Sequence, residues 1–241
     1  MWTLLMLPAF AGSLGVPIPA PDAARVQLAL TGQTEAVGAS VRACQAEEGC
    51  DLSLDQSSLG GELSVAILRG LGVYGSFARV SSAVSSAGYS GTGTGWTLGA
   101  RGALPITRAL GVAAEAHLGA ATSAGAHPTE ADQQQSAAVI TERSARLLAT
   151  VGSPEGGAVG WGGAELAWGW RMDLDAPPSE GGSDPVSYTA ESSRPMSGVL
   201  GGSLHSEPIG VPWRASPTLS AGAELRIGQI RSVGAWVGLG F

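Results

Sequence analysis

Thr218-Leu219-Ser220-Ala221-Gly222-Ala223-Glu224-Leu225-Arg226-Ile227 decides the fold. Leu219, Ala221, Ala223, Leu225 and Ile227 are apolar, while Thr218, Ser220, Gly222, Glu224 and Arg226 are small or polar. The repeat is two residues and not the 3.6 of a helix. Such a stretch is a strand with one greasy face and one wet face.

The same alternation recurs outward from this stretch. Val233, Ala235, Val237, Leu239 and Phe241 alternate with Ser232, Gly234, Trp236, Gly238 and Gly240. Leu166, Trp168, Trp170 and Met172 alternate with Glu165, Ala167, Gly169 and Arg171, and Leu110 to Leu118 repeats the pattern with Glu115 and His117 on the wet side. Trp96, Leu98 and Ala100 do so against Thr97, Gly99 and Arg101, and Leu63, Val65 and Ile67 against Glu62, Ser64 and Ala66. Short turns fall at Gly70-Leu71-Gly72, Pro105 to Arg108, Ser153 to Gly157, Glu207 to Pro212 and Gln229 to Arg231; longer polar connections fall near 41–57, 85–93, 122–136 and 174–195. Ten strands result, near 24–40, 59–69, 72–84, 94–104, 109–121, 137–151, 158–173, 195–206, 214–228 and 230–241, with eight as the alternative if one hairpin is misread. An even strand count, with short turns at one rim and longer loops at the other, predicts an all-β, antiparallel up-and-down transmembrane barrel.

Composition narrows the function. Charged residues make up 14% of the chain, against about 25% in soluble domains. The net charge of −7 leaves no basic surface for nucleic acid. All basic residues are Arg, and neither Lys nor Asn occurs, as a GC-rich genome would produce. Residues 1–20 carry no charge and read as an export signal, with cleavage after Ala11 or Ala20, ahead of a barrel domain over 21–241. In an exported chain, Cys44 and Cys50 suit a small disulfide in the first outer loop. Acidic residues gather in two outer stretches, Glu47, Glu48, Asp51 and Asp55 in one and Asp175, Glu180, Asp184 and Glu191 in the other.

In its final strand the chain resembles the Gram-negative outer-membrane β-barrel family, of small porin-like and OmpA-like type. Phe241, with Leu239 and Val237 at every second position behind it, matches the pattern that the family's assembly machinery reads; Trp236 departs from the Gly preferred there. The resemblance implies a place in the outer membrane, contact with its lipid and lipopolysaccharide, and recognition by the barrel-assembly machinery. Trp96, Trp161, Trp170, Trp213, Trp236 and Phe241 lie near strand ends, where interfacial girdles form. Glu62, Arg101, Glu115, His117, Glu142, Arg146, Glu165, Arg171, Glu224 and Arg226 share the wet face, so charges of both signs would pair across a narrow lumen.

Three functions follow from such a barrel. A blocked lumen leaves the work to the outer loops, through structural or surface-interaction roles. A narrow passive pore would use Gly99, Gly111, Gly119, Gly169 and Gly222 as lumen space and the charges as a selectivity filter. A lipid hydrolase would need a nucleophile and base, but His205 and Ser206 are adjacent and face opposite sides of a strand, His117 pairs with Glu115, and His127 lies in a loop. The expectation is no catalytic site, no metal and no cofactor, with the interaction role first and the pore second.

Overall fold

Each period-two stretch becomes a strand in the computed structural model, which describes residues 26–41, 51–68, 70–84, 89–107, 109–126, 135–153, 157–176, 186–191, 196–206, 217–228 and 230–241. The strands are β1 (Val26–Val41), β2 (Asp51–Leu68), β3 (Leu71–Val84), β4 (Tyr89–Pro105), β5 (Leu110–Ala126), β6 (Gln135–Ser153), β7 (Ala158–Ala167), β8 (Arg171–Ala176), β9 (Val186–Glu191), β10 (Met196–His205), β11 (Thr218–Gly228) and β12 (Ile230–Gly240). Ten of them close a ring in the order β1 to β7, then β10, β11 and β12, with β12 returning to β1. The β8–β9 hairpin prolongs β7 and β10 at the end with the longer connections; β8 lies along β6 and β9 along β1 through Ser40–Glu191 and Val41–Ala190. Every pairing is antiparallel, so each backbone group finds its partner in a neighbouring strand and the ring has no free edge.

Register fixes the geometry. One row of partners leaves β6 at Thr150, passes Trp161, Gly201, Glu224, Gly234, Gln33, Ser58, Val80, Gly93 and Ser123, and returns to β6 at Ala138. One circuit of the ring therefore climbs twelve residues, from 150 to 138. A stagger of that size tilts the strands by about 40° to the barrel axis.

The strands are longer than the sequence suggests at the end with the longer connections. β2 begins at Asp51 inside the stretch expected as a loop over 41–57, and β8 and β9 occupy part of the loop expected over 174–195. At the other end β11 starts at Thr218, and the turn expected at Glu207 to Pro212 lies outside the described residues. The strand expected over 158–173 is broken at Trp168–Trp170. Residues 1–25, Cys44 and Cys50, His127, Glu207 and Trp213 lie outside the described residues.

The extension has a physical cause. Over most of the barrel the outward positions are apolar and the inward ones polar: Leu59, Leu63, Val65 and Ile67 face out on β2 while Ser58 and Glu62 face in. Toward the outer end the two faces exchange character. On β2 Asp55 and Ser57 face out and Leu54 faces in; on β3 Arg79 and Ser81 face out and Val80 and Val84 face in; on β12 Arg231 faces out and Ile230 in. The outer end is thus built like a water-soluble barrel, with its own buried apolar centre to hold the strands together.

On β7 and β8 the sequence keeps its pattern and the backbone changes instead. Leu166 and Trp168 face out, whereas Trp170, Met172 and Leu174 face in, because one extra residue sits in the break at Trp168–Gly169. A one-residue slip moves every following side chain to the opposite face. This corrects the placement of Arg171, which is not a lumen charge. It lies outside with Asp173, their side chains 52% and 43% exposed and 2.9 Å apart. The hydrogen bonds from Arg171 hold the Asp173 carboxyl below its ordinary range.

Candidate functional site

The inward side chains stack in three layers. The outermost is apolar and joins Val37, Leu54, Val80, Ile140, Met172 and Leu174, with Trp170 and Tyr89 among them. The innermost joins Ala113, Leu148, Val159, Val199, Trp161 and Trp236, whose two indoles meet at a centroid distance of 5.8 Å. Between these lies a layer of charges.

Nine of the ten lumen charges read from the sequence meet there, and they come from β2, β4, β5, β6, β7 and β11. Arg101 donates to Glu62 at 2.6 Å and lies 4.7 Å from the Tyr74 ring centroid. Tyr74 Oη donates to Glu115 Oε1 at 2.6 Å. Arg146 reaches Glu224 at 3.0 Å, Glu165 at 3.2 Å and Glu115 at 4.0 Å. Arg226 reaches Glu165 at 3.2 Å and Glu142 at 3.8 Å. Trp161 Nε1 donates to Glu224 Oε2 at 3.2 Å, which ties the charged layer to the apolar one beneath it. Glu35, on β1, is a tenth inward charge that the sequence reading missed; Gln33 donates to its Oε2 at 3.0 Å. The signal was present, because Gln27, Thr31, Gln33 and Glu35 alternate with Leu28, Leu30 and Thr34.

The girdle expectation is corrected for three tryptophans. Trp161, Trp170 and Trp236 are buried inside, each 3% exposed, while Trp96 and Phe241 face out as expected, joined by Trp168. The reason lies in the glycines. A Cβ on Gly201 would sit 2.4 Å from the Trp161 ring, one on Gly222 2.2 Å from Trp236, and one on Gly99 2.3 Å from Tyr74. These rings lie flat over glycine backbone and need the missing side chains. Gly99 and Gly222 therefore hold aromatic rings, not open lumen. Gly169 sits in the β7–β8 break, where a Cβ would meet the Arg143 side chain at 3.3 Å.

One constellation resembles a hydrolase. His117 and Ser144 are direct partners across β5 and β6, and Ser144 Oγ lies 2.9 Å from His117 Nε2. Yet the same hydroxyl donates to Glu165 Oε1 at 2.7 Å, and Ser144 is 0% exposed beneath the outer apolar layer. His205 and Ser206 separate as the strand pleat requires: His205 Nε2 lies 2.9 Å from Ser203 Oγ, and Ser206 Oγ accepts from Leu219 N. Val237, Leu239 and Phe241 lie together on the outward face of the last strand.

No protein-family model matches the chain, and no curated protein matches it. Among solved structures the chain is similar to the translocator domain of the autotransporter NalP from Neisseria meningitidis, at 13% identity over 89% of this chain and 88% of that one, with a TM-score of 0.46. It is also similar to the deltaS2 mutant of the TodX monoaromatic hydrocarbon channel, at 10% identity over 91% and 89%, with a TM-score of 0.33. The Pseudomonas putida toluene transporter TodX is similar at 11% identity over 91% and 88%, with a TM-score of 0.31. The fold is a closed antiparallel barrel with an apolar outer belt and a polar, filled interior, the alternation that transmembrane β-barrels carry.

Proposed function

We propose that the chain is an outer-membrane barrel with a closed lumen, acting as a rigid platform that presents its outer end for surface interaction. The observation that carries this reading is the filled interior: a charged layer sealed between two apolar ones. A conducting pore needs a continuous wet path or a constriction that can dewet and rewet, and side chains as large as Met172, Leu148 and Arg226 are buried along the axis here.

The outer face supports a membrane location. At a tilt of about 40°, each residue climbs about 2.5 Å. The outward apolar run from Leu59 to Ile67 on β2 then covers about 20 Å, and the stagger between strands brings the belt close to the ~25 Å of an outer-membrane barrel. On three strands the outward position just past this belt is Arg: Arg79 after Phe77, Arg143 after Ala145 and Arg231 after Val233. With Trp96 and Trp168 at the same level, they form a cationic and aromatic collar suited to the phosphates of lipopolysaccharide. Val237, Leu239 and Phe241 give the barrel-assembly machinery its apolar alternation.

Planar-bilayer recording tests the closed-lumen reading. The wild-type barrel should show no conductance steps. Removal of Trp161 and Trp236 alone should leave it silent, because the outer layer still closes the axis. Steps from the wild-type chain would establish the pore instead.

A further inference from the structure

Among the described residues, six inward carboxylates (Glu35, Glu62, Glu115, Glu142, Glu165 and Glu224) face three guanidinium groups, Arg101, Arg146 and Arg226. The layer is sealed on both sides, and uncompensated charge in such a place is costly. With all six carboxylates ionised and His117 neutral, three negative charges are left over. The surplus is greatest toward the outer end, where Glu35, Glu142 and Glu165 share Arg226. We propose that a divalent transition-metal ion, with zinc as the type, binds His117, Glu142 and Glu165 inside the barrel and locks β5, β6 and β7 together.

The donor atoms fit. One nitrogen of His117 and one oxygen of each carboxylate all lie within 4.8 Å of one another, and His117 Nε2 is 3.5 Å from Glu142 Oε1. Small inward side-chain movements bring them to the ~2.0–2.2 Å bonds that zinc makes with imidazole and carboxylate. Glu142 Oε1 is buried and accepts no hydrogen bond, with His117 Nε2 at 3.5 Å and Arg226 Nη1 at 3.8 Å facing it beyond hydrogen-bond reach.

The surroundings are those of a held ligand set. His117 Nδ1 faces Glu115 Oε1 at 3.6 Å, and Tyr74 Oη holds that carboxylate at 2.6 Å. Nε2 faces Glu142 Oε1 at 3.5 Å and Ser144 Oγ at 2.9 Å, and the metal takes the place of the Ser144 contact. A carboxylate behind the distal nitrogen is the usual way a ligating histidine is oriented. Arg146 and Arg226 grip Glu165 through Oε2, so that Oε1 stays beside Ser144 and toward His117. Imidazole with carboxylates suits zinc and its neighbours better than calcium or magnesium. A divalent ion reduces the surplus of three charges to one. Because the layer is sealed, the ion enters while the barrel closes and leaves only when it unfolds.

The test uses untagged full-length chain refolded in detergent with one equivalent of zinc, then challenged with EDTA and desalted. Folding is read by unboiled gel mobility and zinc by elemental analysis per folded chain. The expected result is about one zinc per folded wild-type chain, held against EDTA. H117Q and E142Q should each fold without it, and H205Q and the C44S/C50S pair should keep it. Folded wild-type chain without zinc overturns the proposal, because protons then neutralise the surplus. Zinc kept equally by H117Q and E142Q, or stripped by EDTA from folded chain, overturns it as well. The site rests on the sealed lumen alone and stands or falls apart from what the outer end binds.

Discussion

Leu147 offers the sharpest test of where this barrel sits. It faces outward on β6 at 67% exposure, four residues below Arg143 and four above Val151. At about 2.5 Å of climb per residue it lies ~10 Å from the collar, near the middle of the belt. It loses almost no protein packing when replaced. In a water-soluble barrel L147R would fall within the ~0.5 kcal/mol typical of surface changes. On the lipid face, Arg at mid-depth costs about 2–4 kcal/mol, against about 0–1 near the interface. Thr141 faces outward on the same strand, above the collar, so T141R is the matched control. Both variants are refolded into phospholipid vesicles and unfolded with denaturant, with gel mobility and tryptophan fluorescence as readouts. L147R should be weaker than wild type by about 2–4 kcal/mol, and T141R by less than about 1. If the two variants match each other and the wild type, the outer belt does not face hydrocarbon, and the membrane reading is wrong.

Three further outcomes follow from the geometry. R146M strands the carboxylates of Glu165, Glu224 and Glu115 and should cost about 3–5 kcal/mol, whereas R171M, on an exposed pair, should cost less than about 1 in the same titration. G201V drives a side chain into the Trp161 ring and should cost at least 1–3 kcal/mol and alter the near-ultraviolet dichroism, while G202V, where the nearest atom to the new Cβ is 3.6 Å away, should leave that spectrum unchanged. The triple variant R79S/R143S/R231S should lose affinity for lipopolysaccharide by up to roughly 100-fold, at about 1 kcal/mol per Arg, measured by the stabilisation that added lipopolysaccharide gives to unboiled gel mobility; an unchanged response removes the collar as a binding surface.

The ring of ten strands was legible because period two survives in almost every segment, and one burial pattern fixes one register. Leu219 to Ile227 and Glu224 with Arg226 fell on the faces their sequence implied. The outer ends were not legible as strands because alternation alone does not say which side faces water. Asp55 and Ser57 look like loop residues until Leu54 is seen turning inward against Met172 and its neighbours. Arg171 was misplaced because a backbone slip at Trp168–Gly169 leaves no mark in the pattern; the apolar run Leu166, Trp168, Trp170, Met172 continues unbroken across it. The buried tryptophans were hidden for a different reason. Trp161 and Gly201 are 40 residues apart, and their match across β7 and β10 exists only once the register is set. His117, Glu142 and Glu165 likewise converge only through pairing of β5, β6 and β7.

The exchange of polar and apolar faces near Arg79, Arg143 and Arg231 gives the molecule a waterline. A barrel that is greasy outside along its whole length can bob by several ångströms at little cost. In the membrane proposed for it, this one cannot sink without drowning Asp55, Arg79 and Asp173 in hydrocarbon, and cannot rise without lifting Leu59, Phe77 and Trp96 into water. Both movements are opposed around much of the circumference at once, so the draught of the barrel is set by its own sequence and not by the thickness of the membrane around it. A bilayer of the wrong thickness must then deform to meet the protein.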